Sequence, residues 1–567
     1  MSDRELSLAL VAQGLRALRP HAQALRVDEV PPLPLDKRPA PMHELRMHDD
    51  QPADASLRSE GYELIETHIS RVYLAGDHVY KFKRAVNLGF LDFTTREARR
   101  AACVAEVALN RRLAPAVYVG VAALTRGAGG RLALVPPEGV PDAEVLDWAV
   151  HMRRLADAQR ADIRLAAGAL DVVEIDDIAR LLAGFHANAR SDAAVAQLGS
   201  PERVGFNVEE NFTQIAGSAP RFISGAELQD LQDYQRGFLR DRAALLRQRA
   251  ERGYVRDGHG DLRLEHIYRD AGGGHAIIDC IEFNDRFRYA DVCADLAFLS
   301  MDLRAHERPD LAELLLAGYA RESGDYGLYA LTDFYESYRA VVRAKVASLL
   351  ADDPQVAPST RERAEASARR YYLLAISAAR PALSPPRLVV CMGKMASGKS
   401  TLARALGQAL AAPVLSADLT RKQLLGVEAV TPLHHAAFTG AYTAEQSGRV
   451  YASLRERCAL ALAAGRSVIL DATFSTRAER QRATELAAHQ AVPITFLMCE
   501  CDRATSLERL ERRAQAASVS DGRAEIYDQV AQQFEPIHAS DAGELFTLNS
   551  SAPLADTLRQ ALAKLGG

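Results

Sequence analysis

The spacing of hydrophobic and polar positions changes several times along this chain, and the changes divide it. The opening, MSDRELSLALVAQGLRALRP, spaces its apolar residues like an amphipathic helix. Residues 31–42, PPLPLDKRPAPM, hold five prolines. Each fixes φ and removes a donor, so 1–55 reads as a helical extension with an extended tether. From about residue 60 the runs become short and strand-like: YELIET, RVYLAG and VYKFKRA. A helical pattern covers about 94–113, and YVGVAAL and RLALVP follow. This predicts a small antiparallel lobe with one helix over 56–142. Residues 143–380 read as mostly helical, interrupted around HGD at 259–261. The stretch ARPALSPPR, 379–387, breaks the helical pattern. After it RLVVCM, PVLSAD, SVILDAT, PITFLMCE and ELFTLN alternate with helical stretches, predicting a buried parallel sheet over 387–567. The expected fold is multidomain: an α+β part in two lobes, then an α/β domain.

Composition narrows the class. A chain of 567 residues with 48% hydrophobic and 25% charged content is ordinary for globular domains and too long for one core. No apolar run approaches the ~18 residues of a membrane span, so no membrane partner is expected. The seven cysteines are scattered, and Cys499 and Cys501 lack zinc-type spacing, which points to a reduced cytoplasm. A net charge of -5 argues against a general nucleic-acid binder. Nothing in the sequence sets an oligomeric state.

The sharpest motif is GKMASGKST: Gly393, Lys394, Met395, Ala396, Ser397, Gly398, Lys399, Ser400 and Thr401. It follows an apolar strand and opens a helix, the context a phosphate-cradling loop needs. The glycines let backbone N–H groups turn inward, and the helix start adds its own. Lys399 is placed to reach β- and γ-phosphates of ATP, and Ser400 to ligate Mg²⁺. Asp418 ends the next predicted strand, where an aspartate accepts the proton of an attacking hydroxyl. Arg421, one helical turn on, is placed to steady a substrate or the transferring phosphate. Asp471 ends another strand and suits Mg²⁺-bound water. Arg509, Arg512 and Arg513 share a helix face and are expected to close over the phosphates. On these residues 387–567 resembles a small P-loop kinase, of the group with gluconate kinase, polynucleotide 5′-hydroxyl kinase and zeta-toxin-like enzymes. Its near-equal acidic and basic content argues against a polynucleotide acceptor and for a small-molecule hydroxyl.

HGDLRLEHIY, 259–268, raises a second site. Asp261 and Asp279 are two carboxylates on neighbouring loops, suited to orienting an acceptor hydroxyl and to holding metal on phosphates. Upstream, Lys81 on a strand is to be paired by Glu106 and aimed at nucleotide phosphates. Lys83 shares its face, and Glu97 rivals Glu106. With GFLDF and CIEFNDRFRYADVCADLAFLSMDL, which carries Asp295, these motifs make 60–376 similar to the aminoglycoside phosphotransferase family, a branch of the protein-kinase-like fold. The whole order resembles the bifunctional aminoglycoside phosphotransferase/ATP-binding proteins. That resemblance implies a bilobal kinase-like domain and names no antibiotic substrate. Two departures stand out. His266 occupies the place of an expected metal-binding asparagine; its nitrogen favours Mn²⁺ over Mg²⁺, unless Glu265 or Glu282 supplies an oxygen. The phosphate-covering stretch THISR has no glycine, leaving Thr67 and Ser70 as donors. His259 is expected to anchor its turn. Arg339 and Arg343, four apart on a helix, favour an anionic acceptor if they face this cleft.

The expected function is an ATP-dependent phosphotransferase with two kinase-type sites, each acting on a hydroxyl. Two alternatives remain open. The N-terminal domain is a ligand-sensing pseudokinase governing the C-terminal one, or the C-terminal domain is a polynucleotide 5′-hydroxyl kinase.

Overall fold

The computed structural model describes residues 63–566, apart from 67–68, 88–90, 127–131, 355, 381–384, 434, 516–517 and 538–543. The extension and tether expected over 1–55 lie outside the described residues, as does Thr67. Two compact units share the chain. Of the described residues, 63–308 join 332–380 in the first, and 309–331 join 385–566 in the second.

The first unit opens with β1 (Glu63–Glu66), β2 (Ser70–Ala75), β3 (His78–Lys83), β4 (Tyr118–Arg126), β5 (Leu132–Val135) and β6 (Val145–Arg153). They form one antiparallel sheet in the order β1-β2-β3-β6-β4-β5. The helix Arg96–Asn110 starts at Thr95, whose side chain accepts from the Ala98 N–H. It buries Cys103, Glu106, Val107 and Asn110, one face by three- and four-residue spacing. The same spacing turns Glu97 outward.

The predicted lobe stops at 142, but the sheet takes β6 from beyond that limit and sets it centrally, between β3 and β4. Trp148, Val150 and Met152 alternate with Asp147, His151 and Arg153, so the strand carries a period of two, but that period does not say which strands it pairs with. Beyond β6 the unit is helical. Two short ribbons interrupt it: β7 (Val255–Asp257) and β8 (Ile267–Arg269) pair with β10 (Tyr289–Asp291) and β9 (His275–Ile277) respectively. They frame the HGD loop. The helix Val292–Ala305 is buried almost all round and carries Asp295 and Asp302 inward.

In the second unit β11 (Leu388–Met392), β12 (Val414–Ser416), β13 (Val468–Asp471), β14 (Ile494–Glu500) and β15 (Glu544–Asn549) make a fully parallel sheet, ordered β12-β13-β11-β14-β15. All five expected strands are present. Every residue of β11 is buried, as a strand covered on both faces requires. The helix of Pro309–Ser323, read from sequence as part of the first domain, packs here. Gln423 Nε2 donates to Arg321 O at 2.8 Å, and the Arg457 guanidinium lies 5.3 Å from the Tyr326 ring. Helical periodicity shows which face is buried and says nothing about which core receives it. Among the described residues no helix is long and apolar enough to cross a membrane.

Candidate active site

In the second unit the loop 393–398 leaves the carboxyl end of the central strand β11, where α/β sheets present their ligand crevice. Gly393 and Gly398 have φ of 143° and 83°, and Ala396 is left-handed at 58°. The backbone therefore curls into a cradle of N–H groups. The helix Lys399–Leu410 starts at Gly398 with no side-chain cap, leaving its first N–H groups for phosphate oxygens. A Cβ on Gly393 would stand 2.5 Å from Cys499 O and 2.7 Å from Ser397 Oγ. Gly393→Ala is thus expected to load the loop with about 1–3 kcal/mol of strain and to weaken nucleotide binding accordingly. Titration with a fluorescent ADP analogue reads this; affinity within twofold of wild type would rule the cradle out.

Ser400 Oγ donates to Asp471 Oδ1 at 3.0 Å. One hydroxyl and one carboxylate thus converge under the loop, the hard-oxygen donors that suit Mg²⁺. Burial pushes the Asp471 carboxyl up, against the Lys399 ammonium and the Ser400 hydroxyl. Met395 packs with Ala396, Leu510 and Tyr527, while Lys394 and Thr401 are exposed. Arg509 donates from Nη1 to Ala396 O at 3.2 Å and from Nη2 to Ser550 O at 2.6 Å, so it braces the loop backbone. Of the other two expected closing arginines, Arg512 is exposed and Arg513 half-buried.

After the next strand Ser416 stands at the N-cap of the helix Ala417–Leu425, and Asp418 lies in its first turn. Arg421 is buried, donates from Nη1 to Ala441 O at 2.7 Å and lies 4.4 Å over the Tyr442 ring. Lys422 is buried on Asp521 at 2.9 Å. Asp521 and Tyr442 were not foreseen: Tyr442 ends the single-turn 3-10 helix Gly440–Tyr442 and Asp521 sits in a loop, distant in sequence from Arg421 and with no periodic signal.

In the first unit β3 directs both lysines at Glu106. Lys81 Nζ lies 3.0 Å from Glu106 Oε1 and 2.6 Å from Asp279 Oδ1. Lys83 Nζ lies 2.5 Å from Glu106 Oε2 and contacts Glu282. Lys81 is therefore the lysine beside Asp279, while Lys83 serves the buried interior. Glu97 pairs with Arg96 at the surface, away from both. Burial alone would raise the Asp279 carboxyl, but Lys81 and His266 outweigh it and hold it well below the carboxylate range. Asp279 is also left-handed, at φ 64°, a strained backbone of the kind that clusters at functional sites.

Asp295 anchors the HGD loop, accepting from His259 N at 2.6 Å and Gly260 N at 2.9 Å; Asp302 accepts from Leu264 N at 2.9 Å. The His259 ring donates from Nε2 to Ile278 O at 2.9 Å, and its Nδ1 accepts from Asp261 N at 3.3 Å. The bond accepted at Nδ1 needs the neutral ring, and burial lowers its pKa to about 4. The unfolded chain, with His at ~6.5, binds this proton first, so stability is full above pH ~6.5 and falls toward pH 4, by about 3 kcal/mol. His259→Gln is expected to flatten urea stability between those limits relative to wild type; parallel profiles would refute the neutral-ring assignment.

Asp261 is engaged on both oxygens by its neighbour Arg263, Nε–Oδ1 3.1 Å and Nη2–Oδ2 3.0 Å. Burial opposes ionisation, but Arg263, His266 and Arg343 hold this carboxyl well below its ordinary value. The same charges bring Glu265 to about 2 against its burial. Arg343 thus lies near both carboxylates. Arg339 instead donates to Ala294 O and stacks on Phe298 inside the unit. His266 Nδ1 donates to Asp261 O at 2.8 Å. Its Nε2 lies 3.7 Å from Asp279 Oδ2, 3.8 Å from Glu265 Oε1 and 3.4 Å from Arg263 Nη2. Among the described residues no three His, Cys, Asp or Glu groups form a metal cage. The pair of one imidazole nitrogen and one carboxylate fits a cation whose remaining ligands come from phosphates and water.

Known proteins resemble parts of this chain. The family model AAA_33, an AAA domain, matches residues 388–537. The gluconokinase structure from Sinorhizobium meliloti 1021 is 23% identical, covering 32% of this chain and 91% of its own, with TM-score 0.24. The GDP complex of wild-type aminoglycoside 2′-phosphotransferase-IIIa is 14% identical, covering 55% and 97%, with TM-score 0.33. The uncharacterized protein Rv2004c of Mycobacterium tuberculosis H37Rv is 34% identical over 461 residues, 81% of this chain and 88% of that protein. The chain belongs to the family of that mycobacterial protein, and its residues 388–537 carry an AAA_33 domain.

Proposed function

We propose that the chain is an ATP-dependent phosphotransferase whose P-loop unit acts on a hydroxyl of a small molecule. The observation that carries this reading is the 3.0 Å bond from Ser400 to Asp471 beneath the phosphate cradle. In the proposed reaction the acceptor oxygen forms a bond to the γ-phosphorus as the bond to the β-bridging oxygen breaks. Asp418 takes the hydroxyl proton and ADP leaves. Lys399 offsets charge on the phosphates, and Arg509 holds the loop that cradles them. Mg²⁺, held by Ser400 and Asp471, would neutralise phosphate charge.

The N-terminal unit is proposed as a second site. Lys81, fixed by Glu106, would meet the nucleotide phosphates; Asp279 and His266 would hold Mg²⁺ or Mn²⁺; Asp261 would receive the acceptor proton. One observation favours a second reading. The Arg263 fork occupies both oxygens of Asp261, which suits a ligand sensor at rest. Phosphorylation of a cytoplasmic metabolite extract, followed by mass spectrometry, separates the two. A product lost in Asp261→Asn assigns transfer to the N-terminal site. A product lost only in Lys399→Ala leaves that unit as sensor or scaffold, and no ATP-dependent product at all would refute the proposal.

A further inference from the structure

We infer that Asn110 and Tyr118 are positioning residues of the N-terminal site: they hold the turn that carries Asp279, and the cation affinity of that carboxylate depends on them. This rests on the reading above that Asp279 holds a divalent cation. Asp279 is left-handed at φ 64°, a conformation that a non-glycine residue keeps only where its surroundings enforce it. Two consecutive N–H groups of the turn are held by side chains rather than by backbone. Asp279 N donates to Tyr118 Oη at 3.3 Å, and Cys280 N donates to Asn110 Oδ1 at 2.9 Å. Tyr118 is only 2% exposed and Asn110 1%, so bulk water does not stand in for either acceptor when it is removed.

Both holders come from one short stretch of the small lobe. Asn110 stands one helical turn after Glu106, so the helix face that takes Lys81 also takes the turn. Asn110 Nδ2 is itself fixed on Glu106 O at 2.9 Å, which leaves Oδ1 for Cys280. Arg112 donates to Asp257 O at 2.8 Å, Gly258 O at 2.9 Å and Cys280 Sγ at 3.3 Å, and its guanidinium lies 4.9 Å over the Phe185 ring. Ile277 N donates to Leu113 O at 3.4 Å, and Ile278 N to His266 O at 2.9 Å. The end of the helix and the start of β4 thus tie the strand before the HGD loop to the turn of Asp279. Outer partners of this kind set where a metal ligand points, and losing one costs roughly 10–100-fold in metal affinity.

Mn²⁺ is titrated into the full chain with AMP-PNP and read by water-proton relaxation, which reports protein-bound Mn²⁺. Asp279→Asn marks the share of the signal that belongs to this site. Tyr118→Phe removes one oxygen and keeps the ring. It is expected to weaken Mn²⁺ in that share on the order of 10-fold and to leave the P-loop share unchanged. Asn110→Leu is expected to do the same. Urea unfolding read by Trp148 fluorescence accompanies each variant and separates loss of fold from loss of metal. Should Asn110→Leu fail to fold, Tyr118→Phe decides alone. A variant that unfolds at lower urea yet binds Mn²⁺ as wild type has lost structure only, and overturns the inference. Equal weakening of both shares overturns it too. If Asp279→Asn leaves the whole signal intact, the metal reading beneath the inference fails instead.

Discussion

Lys399→Ala is expected to lower ATP-dependent transfer by the P-loop unit by about 10²–10³-fold, the usual cost of removing one preorganised charge donor at a transferring group. Lys399 is the first residue of the helix that follows the cradle, so its position is set by the φ of 83° at Gly398 and by the helix itself. Its ammonium bears on Asp471, the carboxylate that also accepts from Ser400. The three side chains share one place at the carboxyl end of the sheet, and none substitutes for another. The lysine supplies fixed positive charge, whereas the hydroxyl and carboxylate supply oxygen donors. The substitution should leave the fold intact because Lys399 is only half-buried. Product formation from a metabolite extract, read by mass spectrometry, measures the effect. Loss of less than about threefold would remove Lys399 from the chemistry, and with it the proposed role of the loop.

Glu106→Leu should destabilise the first unit by about 3–5 kcal/mol, since it leaves two buried ammonium groups without their shared carboxylate. Glu106 is fully buried and takes Lys81 on one oxygen and Lys83 on the other. Burial opposes its ionisation, and the two lysines hold it ionised nonetheless. Lys81 keeps Asp279, but Lys83 keeps only Glu282, whose carboxyl burial pushes up. Lys83→Met added to Glu106→Leu should recover part of the loss, because apolar side chains replace a buried pair at small cost. The chain has one tryptophan, Trp148, in the central strand β6, so urea unfolding followed by its fluorescence reports on this unit. A single-variant loss under about 1 kcal/mol would show that water already reaches the lysines.

Local signals carried much of the architecture. The five strands of the parallel sheet are short, apolar and bounded by breakers, and the helix Arg96–Asn110 follows one face in steps of three and four. Such patterns are written in adjacent residues. The place of strand β6 between β3 and β4 was not legible because alternation along a strand does not name the strands it pairs with. The placement of Pro309–Ser323 was not legible because an amphipathic face does not name its partner. The cradle of Gly393 to Ser400 was readable, since a tight phosphate loop needs glycine and a following lysine within a few residues.

The same division holds for the chemistry. Sequence by itself determined the residue types that phosphate chemistry needs: Lys399 and Ser400 at the helix start after their loop, Asp261, Asp279 and Asp471 at turns and strand ends, and Asp418 just past another strand. Only tertiary structure decided that Lys81 is the lysine beside Asp279 and that Arg263 forks onto Asp261. Only it joined Ser400 to Asp471 and Asp521 to Tyr442. Those contacts join residues up to about two hundred positions apart, or select one rotamer of a long side chain among several. Pattern along a chain sets which groups are present and which way an element faces. Packing sets which charges meet, because burial makes an unmatched charge too costly to leave alone.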